Sequence, residues 1–409
     1  MHKTISVLRR KAIKGLKIIT KTSSENIKRK TIVNKILRRV YLEELEGILN
    51  SHRNVKGVII YAPTVDWNIP LFQRPQHLAS QLAKQGYLYF FCTPNSQYDK
   101  VHGFKQIENR CYITNQFDLL ADKIDNFIID CYSTTSNLDI LSLDKLKLKL
   151  GKIKILYQYV DKIDESIHHS IDIAHKRHIY MIENADIFVV TSQKLFDEVA
   201  SLRKENLYYV PNGVDYQHFK ISKNIKQMPS DINHIVEKDK PIIGYYGALA
   251  SWIDYDLLHY IAEHRPDIEL VLIGVDYDGS MKKLERKVNI SFLGRKHYTI
   301  LPRYAVWFDV AIIPFMEGEI AKSTSPIKLF EYFALGKPVI VTKDMVECKK
   351  YKPVLVAKDK KNFLRLIDKA LSLKDDKSYL ILLDKIAKEN TWEVRAKEID
   401  SFVQRKYRI

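Results

Sequence analysis

A chain of 409 residues is long for one domain, and a hydrophobic share of 46% with 24 Tyr and 16 Phe is enough for two or three large cores. No apolar run approaches the roughly 18 residues of a membrane span, and no signal-peptide core appears. The four cysteines, Cys92, Cys111, Cys131 and Cys348, lack metal-ligand spacing, which excludes a cysteine-based zinc module and predicts reduced thiols in a cytosolic setting.

The net charge of +17 is unevenly placed. Residues 1–40 hold 13 Lys or Arg against one acid, Glu25, so this segment carries +12 and the remaining 369 residues only +5. Within it Ile5, Leu8, Ala12, Leu16 and Ile19 recur at helical spacing among Arg9, Arg10, Lys11, Lys14 and Lys17. A second run, Ile32, Ile36, Leu37 and Val40 with Lys35, Arg38 and Arg39, repeats the pattern. A basic amphipathic segment over residues 1–55 predicts attachment to an anionic membrane surface, each cation near it contributing about 1 kcal/mol. Docking on the protein's own body or on a partner is the alternative. Nucleic acid is disfavoured, because no aromatic precedes Tyr41 and no recognition module is present.

Next in the chain comes an alternation of short apolar runs with helical patterns. Gly57–Ala62 reads as a buried strand, Leu71–Gln85 as a helix stopped by Gly86, and Tyr87–Cys92 as the next strand. Phe127–Asp130, Ile153–Tyr159, Ile187–Thr191 and Leu207–Val210 continue the series. Residues 220–240 are polar without clear periodicity and read as a linker. A second series begins at Pro241–Tyr246 and runs through Leu270–Ile273, Ile290–Leu293, Val310–Ile313 and Val339–Val341. The stretch from Tyr379 is helical, with a fresh helix start at Asn390–Glu393. Two parallel sheets covered by helices follow from this pattern.

The run from Ser325 to Val341 carries the most chemistry. Ser325 suits an N-cap and Pro326 the first helical position, while Gly336 and Pro338 stop the helix before a buried strand. Lys328 sits in the first turn, where acids are preferred, which makes sense if an anion binds between it and the helix N-terminus. Glu331, one turn on, shares its face and can accept from two neighbouring hydroxyls, as on a ribose. Phosphate donors beside a diol acceptor suit a sugar nucleotide.

This segment resembles the nucleotide-binding signature of GT-B glycosyltransferases of the retaining family 4 type. The resemblance extends over residues 57–400. Tyr209-Val210-Pro211-Asn212-Gly213-Val214-Asp215 is similar to the element that ends the N-terminal half in these enzymes, and Phe72-Gln73-Arg74-Pro75-Gln76-His77 to a bacterial polysaccharide subgroup that includes teichuronic-acid-type enzymes. Beyond the basic helical appendage over 1–55, it implies two Rossmann-like domains facing a cleft. The N-terminal acceptor domain spans 56–225, the donor domain 240–385, and residues 386–409 form a last helix crossing back, with Trp392 as its anchor or as a plain core residue.

As the resemblance implies, Glu331 holds the ribose, and Ser325, Pro326, Gly247 and Ala248 border the diphosphate. Gly247 permits close backbone approach and offers its N–H. Two departures are visible. The Arg and Lys usual after the Gly-rich turn are absent, so the cations for the leaving group are sought in Arg295, Lys296 and Lys328, of which Arg295 and Lys328 are favoured. The family's first glutamate, eight positions before Glu331, is Ser323, with Glu317 and Glu319 nearby. Gln73 and Arg74 belong to a loop that meets a phosphate or the acceptor, and His77 is read as structural. Asp161, at a strand end, binds the transferred sugar or orients the acceptor hydroxyl, or simply caps the next helix.

The implied activity is transfer from a UDP-, GDP- or other nucleotide sugar to a glycan or polyprenyl-linked acceptor in bacterial cell-surface polysaccharide synthesis. It implies retention, no metal and no cofactor, in a cytoplasmic protein held at the inner face of the plasma membrane. The departures also suit a catalytically silent, membrane-docked glycan-binding or assembly subunit.

Overall fold

The computed structural model describes residues 24–133, 154–165, 170–222, 228–285 and 287–407. The first sheet contains β1 (Val58–Tyr61), β2 (Leu88–Cys92), β3 (Phe104–Glu108), β4 (Cys111–Thr114), β5 (Ile128–Tyr132), β6 (Lys154–Tyr159), β7 (Ile187–Val190) and β8 (Leu207–Tyr209). Its order is β3-β4-β2-β1-β5-β6-β7-β8, parallel throughout except for β3 against β4. The second contains β9 (Ile242–Tyr246), β10 (Glu269–Ile273), β11 (Ile290–Phe292), β12 (Val310–Ile313), β13 (Val339–Thr342) and β14 (Leu355–Ala357). It is all parallel, in the order β11-β10-β9-β12-β13-β14. Helices cover both faces, which is why β2, β5, β7, β9, β10, β12 and β13 are buried along their whole length; β2, β7, β9 and β12 read as unbroken apolar runs, while β5 carries the buried Asp130 and β10 opens on the buried Glu269. Strand order reverses between β1 and β5 and between β9 and β12, and the carboxyl ends there are where an open sheet of this kind holds ligands.

Three expectations need correction. The polar stretch 220–240 contains a helix, Ser230–Val236, whose Ile232 and Ile235 are fully buried in the second core. Two apolar residues three apart are too few to display a period. The helix expected from Leu71 spans Arg74–Lys84, because Gln73 takes the N-cap position and its N–H donates to Gln76 Oε1 at 3.2 Å. Strands β3, β4 and β14 escaped the sequence reading: β3 is a half-exposed edge with Lys105 and Gln106 outward, and β14 has three residues.

The N-terminal helix Ser24–Ser51 lies on the first sheet domain. Leu37, Val40, Tyr41 and Leu45 are buried in that domain's core, and Arg38 pairs with Asp122 at 2.7 Å. Half of the second apolar stripe therefore docks on the protein itself and is not available to a membrane. Ile32 and Ile36 remain exposed. The first stripe, Ile5 to Ile19, lies outside the described residues. Among the described residues no helix is long and apolar enough to cross a membrane.

Two segments join the halves, and they run side by side. Val214 N–H donates to Asn390 carbonyl and Trp392 N–H to Val214 carbonyl, at 3.0 and 3.1 Å. A Cβ on Gly213 would stand 2.8 Å from the Thr391 carbonyl carbon, so only glycine admits this approach. The last helix, Trp392–Tyr407, then returns to the first domain, where Trp392, Ala396, Ile399 and Val403 are buried and Trp392 stacks on His77 at 4.9 Å. All four cysteines are buried free thiols.

Candidate active site

The helix Ile327–Ala334 starts at the carboxyl-end side of the second sheet. Pro326, extended at φ −76° and ψ 122°, occupies the N-cap position, and no side chain caps the helix. Ser325 is not the cap. Its hydroxyl accepts the Asn212 N–H at 3.2 Å and its carbonyl accepts Asn212 Nδ2 at 2.6 Å, so it is committed to the turn that joins the halves. Among the described residues the N–H groups of Ile327 and Lys328 donate to no backbone acceptor, leaving the positive end of the helix open. Gly336 ends the helix at φ +71°, with Lys337 N–H closing on the Tyr332 carbonyl.

Glu331 is 4% exposed. Its Oε2 accepts the Tyr246 hydroxyl at 2.8 Å, and the Tyr246 N–H donates to the neighbouring Tyr332 hydroxyl at 3.0 Å. Burial pushes the Glu331 carboxyl up to about 7, although the Tyr246 hydroxyl and the Lys328 ammonium work the other way. The buried Tyr298 hydroxyl feels the Glu331 charge and has no hydrogen-bond partner among the described residues.

Lys328 lies with its ammonium 5.5 Å from the Tyr245 ring centre and 5.4 Å from that of Phe315. Burial lowers its pKa, opposed by the charges of Glu331 and Asp161. Among the described residues it forms no ion pair, although Glu331 is three positions away on the same helix. A cation held on aromatic faces, with carboxylates near it but no ion pair among the described residues, is poised for an anionic ligand.

Gly247 follows β9 at φ +142°, and a Cβ there would approach Lys328 Cε to 3.1 Å. Its N–H does not face a ligand. It donates to the Ile273 carbonyl at 2.9 Å, and Gly274 is pressed so closely on Gly247 that a Cβ would meet its oxygen at 1.7 Å. The free backbone donor of this turn is Ala248, whose N–H has no acceptor among the described residues.

Asp161, just past β6, reaches across from the first domain: its charge acts on Lys328 and on Tyr277. Arg295 is exposed past β11, its guanidinium 5.9 Å from the Tyr98 ring of the first domain. Tyr98 is set by Asp66, a buried carboxylate accepting N–H groups of Ser96, Gln97, Tyr98 and Asp99, which hold it down at about 2. Lys296 is spent on Asp231 at 2.6 Å.

Arg74 is not a phosphate ligand in this arrangement. It is 3% exposed and donates to Gln158 Oε1, to the Val210 and Pro211 carbonyls and to Asn212 Oδ1, all within 3.2 Å. An Arg before Pro at a helix start reads as a loop cation, but the crossing segment closes over it. Gln73 is exposed and serves its helix start. His77, pushed down to about 3 by burial, is a neutral core ring among Phe72, Tyr298 and Trp392.

Neither glutamate near Ser323 replaces the family's first one. Glu319 pairs with Lys162 at 3.1 Å and with Lys194, both from the first domain, and Glu317 pairs with Lys343 at 2.7 Å. The Ser323 hydroxyl itself donates back to the Glu319 carbonyl. Among the described residues no group of three or more His, Cys, Asp or Glu is placed to hold a metal ion. Sequence reasoning missed Tyr246, Tyr298, Lys162 and Lys194. The Tyr245-Tyr246 pair at a strand end, where the alternate side chain points to the next helix, was the one signal available.

The family model "Glycosyl transferases group 1" matches residues 240–373. Bacillus subtilis (strain 168) TuaH, described as "Putative teichuronic acid biosynthesis glycosyltransferase", is 28% identical over 179 residues, which are 42% of this chain and 44% of that protein. The chain thus matches less than half the length of that relative. Anabaena HepE in complex with UDP and glucose aligns over 85% of this chain and 99% of its own, with a TM-score of 0.59 at 13% identity. The α,α-trehalose-phosphate synthase (UDP-forming) of Burkholderia xenovorans, in complex with glucose-6-phosphate, covers 85% and 100%, with a TM-score of 0.63 at 10% identity. Residues 240–373 are therefore a glycosyl transferases group 1 domain, and the chain around it has the GT-B fold.

Proposed function

We propose that this protein is a retaining glycosyltransferase that moves a sugar from a nucleotide-diphosphate sugar to a glycan or polyprenyl-linked acceptor in bacterial cell-surface polysaccharide synthesis. The observation that carries the reading is the buried Glu331 one turn from Lys328, which has no ion pair among the described residues, at an open helix N-terminus inside the group 1 domain. Glu331 accepts the ribose hydroxyls of a UDP-, GDP- or other nucleotide donor. Lys328, the Ala248 N–H and the open helix end at Pro326 hold the diphosphate, and Arg295 joins them from the end of β11 in the same domain. Charge on the departing diphosphate grows in the transition state, so these groups lower the barrier more than they strengthen ground-state binding.

The acceptor hydroxyl attacks the anomeric carbon on the face from which the diphosphate leaves. The bond from that carbon to the diphosphate oxygen breaks, and a phosphate oxygen takes the hydroxyl proton, which needs no metal. Asp161 orients the acceptor hydroxyl or the transferred sugar beside Lys328. Exposed Ile32 and Ile36 and the basic residues before them support peripheral attachment to anionic lipid at the cytoplasmic face.

A screen of UDP-, GDP- and ADP-sugars for turnover tests the assignment. Release of nucleoside diphosphate, blocked by Lys328→Ala, is the expected result. Nucleotide binding without any turnover would mark a silent GT-B subunit instead.

A further inference from the structure

We infer that Tyr246 is a positioning residue for the nucleoside: it holds the Glu331 carboxylate away from Lys328, so that Oε1 faces the ribose and the ammonium faces the diphosphate. This deepens the functional reading above and rests on it. A glutamate side chain turns about three bonds, and its neighbour three residues on or back along a helix is within reach. Lys328 and Glu331 have that spacing and opposite charges, yet they form no ion pair among the described residues.

What intervenes is a two-point clasp from the end of β9. The Tyr246 hydroxyl takes Oε2 at 2.8 Å, and the Tyr246 N–H takes the Tyr332 hydroxyl at 3.0 Å. The Tyr246 and Tyr332 rings meet edge to face at 4.7 Å, so the donor cannot follow a moving carboxylate. Tyr246 is fully enclosed within the sheet end and Tyr332 within the helix. Oε1 takes no hydrogen bond among the described residues, which leaves it for the ligand. Lys328, meanwhile, is retained by the Tyr245 and Phe315 rings. Without the Tyr246 hydroxyl the carboxylate swings to Lys328, and one rotation removes both the diol acceptor and the diphosphate cation.

The test uses the full chain above neutral pH with UDP, GDP and ADP, followed by the 2′-deoxy form of whichever binds most tightly. Wild type favours the ribonucleotide. Tyr246→Phe loses about tenfold in ribonucleotide affinity, and its preference over the 2′-deoxy form collapses. Adding Lys328→Met removes the competing cation and restores the preference ratio, at lower overall affinity. Equal loss for both nucleotides, with no recovery in the double variant, would overturn the inference by showing a merely structural tyrosine. Preservation of the preference in Tyr246→Phe together with its loss in Glu331→Ala would also overturn it while leaving the ribose reading intact. A wild type without any ribose preference would instead overturn that reading.

Discussion

Asn212 fastens the turn between the two domains to the entry of the nucleotide-site helix, giving its N–H to Ser325 Oγ and its side-chain amide to the Ser325 carbonyl, while Oδ1 accepts from Arg74. One residue thus ties a buried arginine of the first domain to the helix start of the second. Asn212→Ala removes two side-chain hydrogen bonds and leaves a buried guanidinium short of a partner. It should cost about 1–3 kcal/mol in urea unfolding. Donor affinity should fall with it. Unchanged stability and affinity would show that the turn does not set the helix.

A second tie is electrostatic. Glu319 takes Lys162 and Lys194 from the opposite domain, and these lysines hold its carboxyl down at about 2. A depressed carboxylate contributes attraction that is complete above its ordinary value near 4.5 and lost as pH falls toward 2. Glu319 is nearly half exposed and the two lysines about a third, so salt screens them. Glu319→Gln, or high salt on wild type, should enlarge the radius of gyration in small-angle scattering. Identical scattering in all three conditions would mean that these ion pairs do not hold the cleft.

Much of this architecture was legible from the chain. Interior strands such as Ile242–Tyr246 and Val310–Ile313 are apolar on both faces, and a run of that kind admits few other readings. The edge β3 and the short helix Ser230–Val236 were not, because each buries too little to leave a period. At the site, Lys328 broke the usual charge rule of a helix start, and Glu331 stood one turn on, so both were visible. Arg74 was misread since nothing local tells an arginine that it will be roofed by Val210 and Pro211, more than 130 positions away. Ser325 looked like a cap for the same reason: its partner, Asn212, lies in the other domain.

Glu331 should make stability and binding pull in opposite directions. Its folded value of about 7 lies above an unfolded value near 4.5. The folded chain therefore keeps this proton to higher pH, and the associated stability is complete below 4.5 and lost as pH rises through 7. Glu331→Gln should consequently be more stable than wild type at pH 8, by up to ~3 kcal/mol, while binding donor more weakly. Wild-type donor affinity should itself decline as pH falls below 7, because the ribose hydroxyls need an ionised acceptor. Calorimetric affinities and unfolding curves from pH 5 to pH 8, on roughly that grid, check both halves. A pH-independent affinity would refute this account of Glu331.

Membrane attachment should reside in the segment before the docked part of the N-terminal helix. Removing residues 1–31 deletes most of the local charge and spares Leu37, Val40, Tyr41 and Leu45. The truncated protein should stay folded and lose co-sedimentation with anionic vesicles, whereas intact protein should pellet with them and not with neutral lipid. High salt should release it only in part, because apolar side chains bury alongside the charges. Equal pelleting of the two forms would assign the segment to a protein partner.

The most direct test is titration of wild type and Glu331→Ala with UDP, GDP and ADP in a calorimeter, with circular dichroism to confirm the fold. Wild type should bind at least one of them, and Glu331→Ala should weaken that binding by roughly 1.5–3 kcal/mol, one to two decades in dissociation constant. Equal affinity of the two proteins for every nucleotide would contradict the placement of the donor nucleoside against the helix Ile327–Ala334.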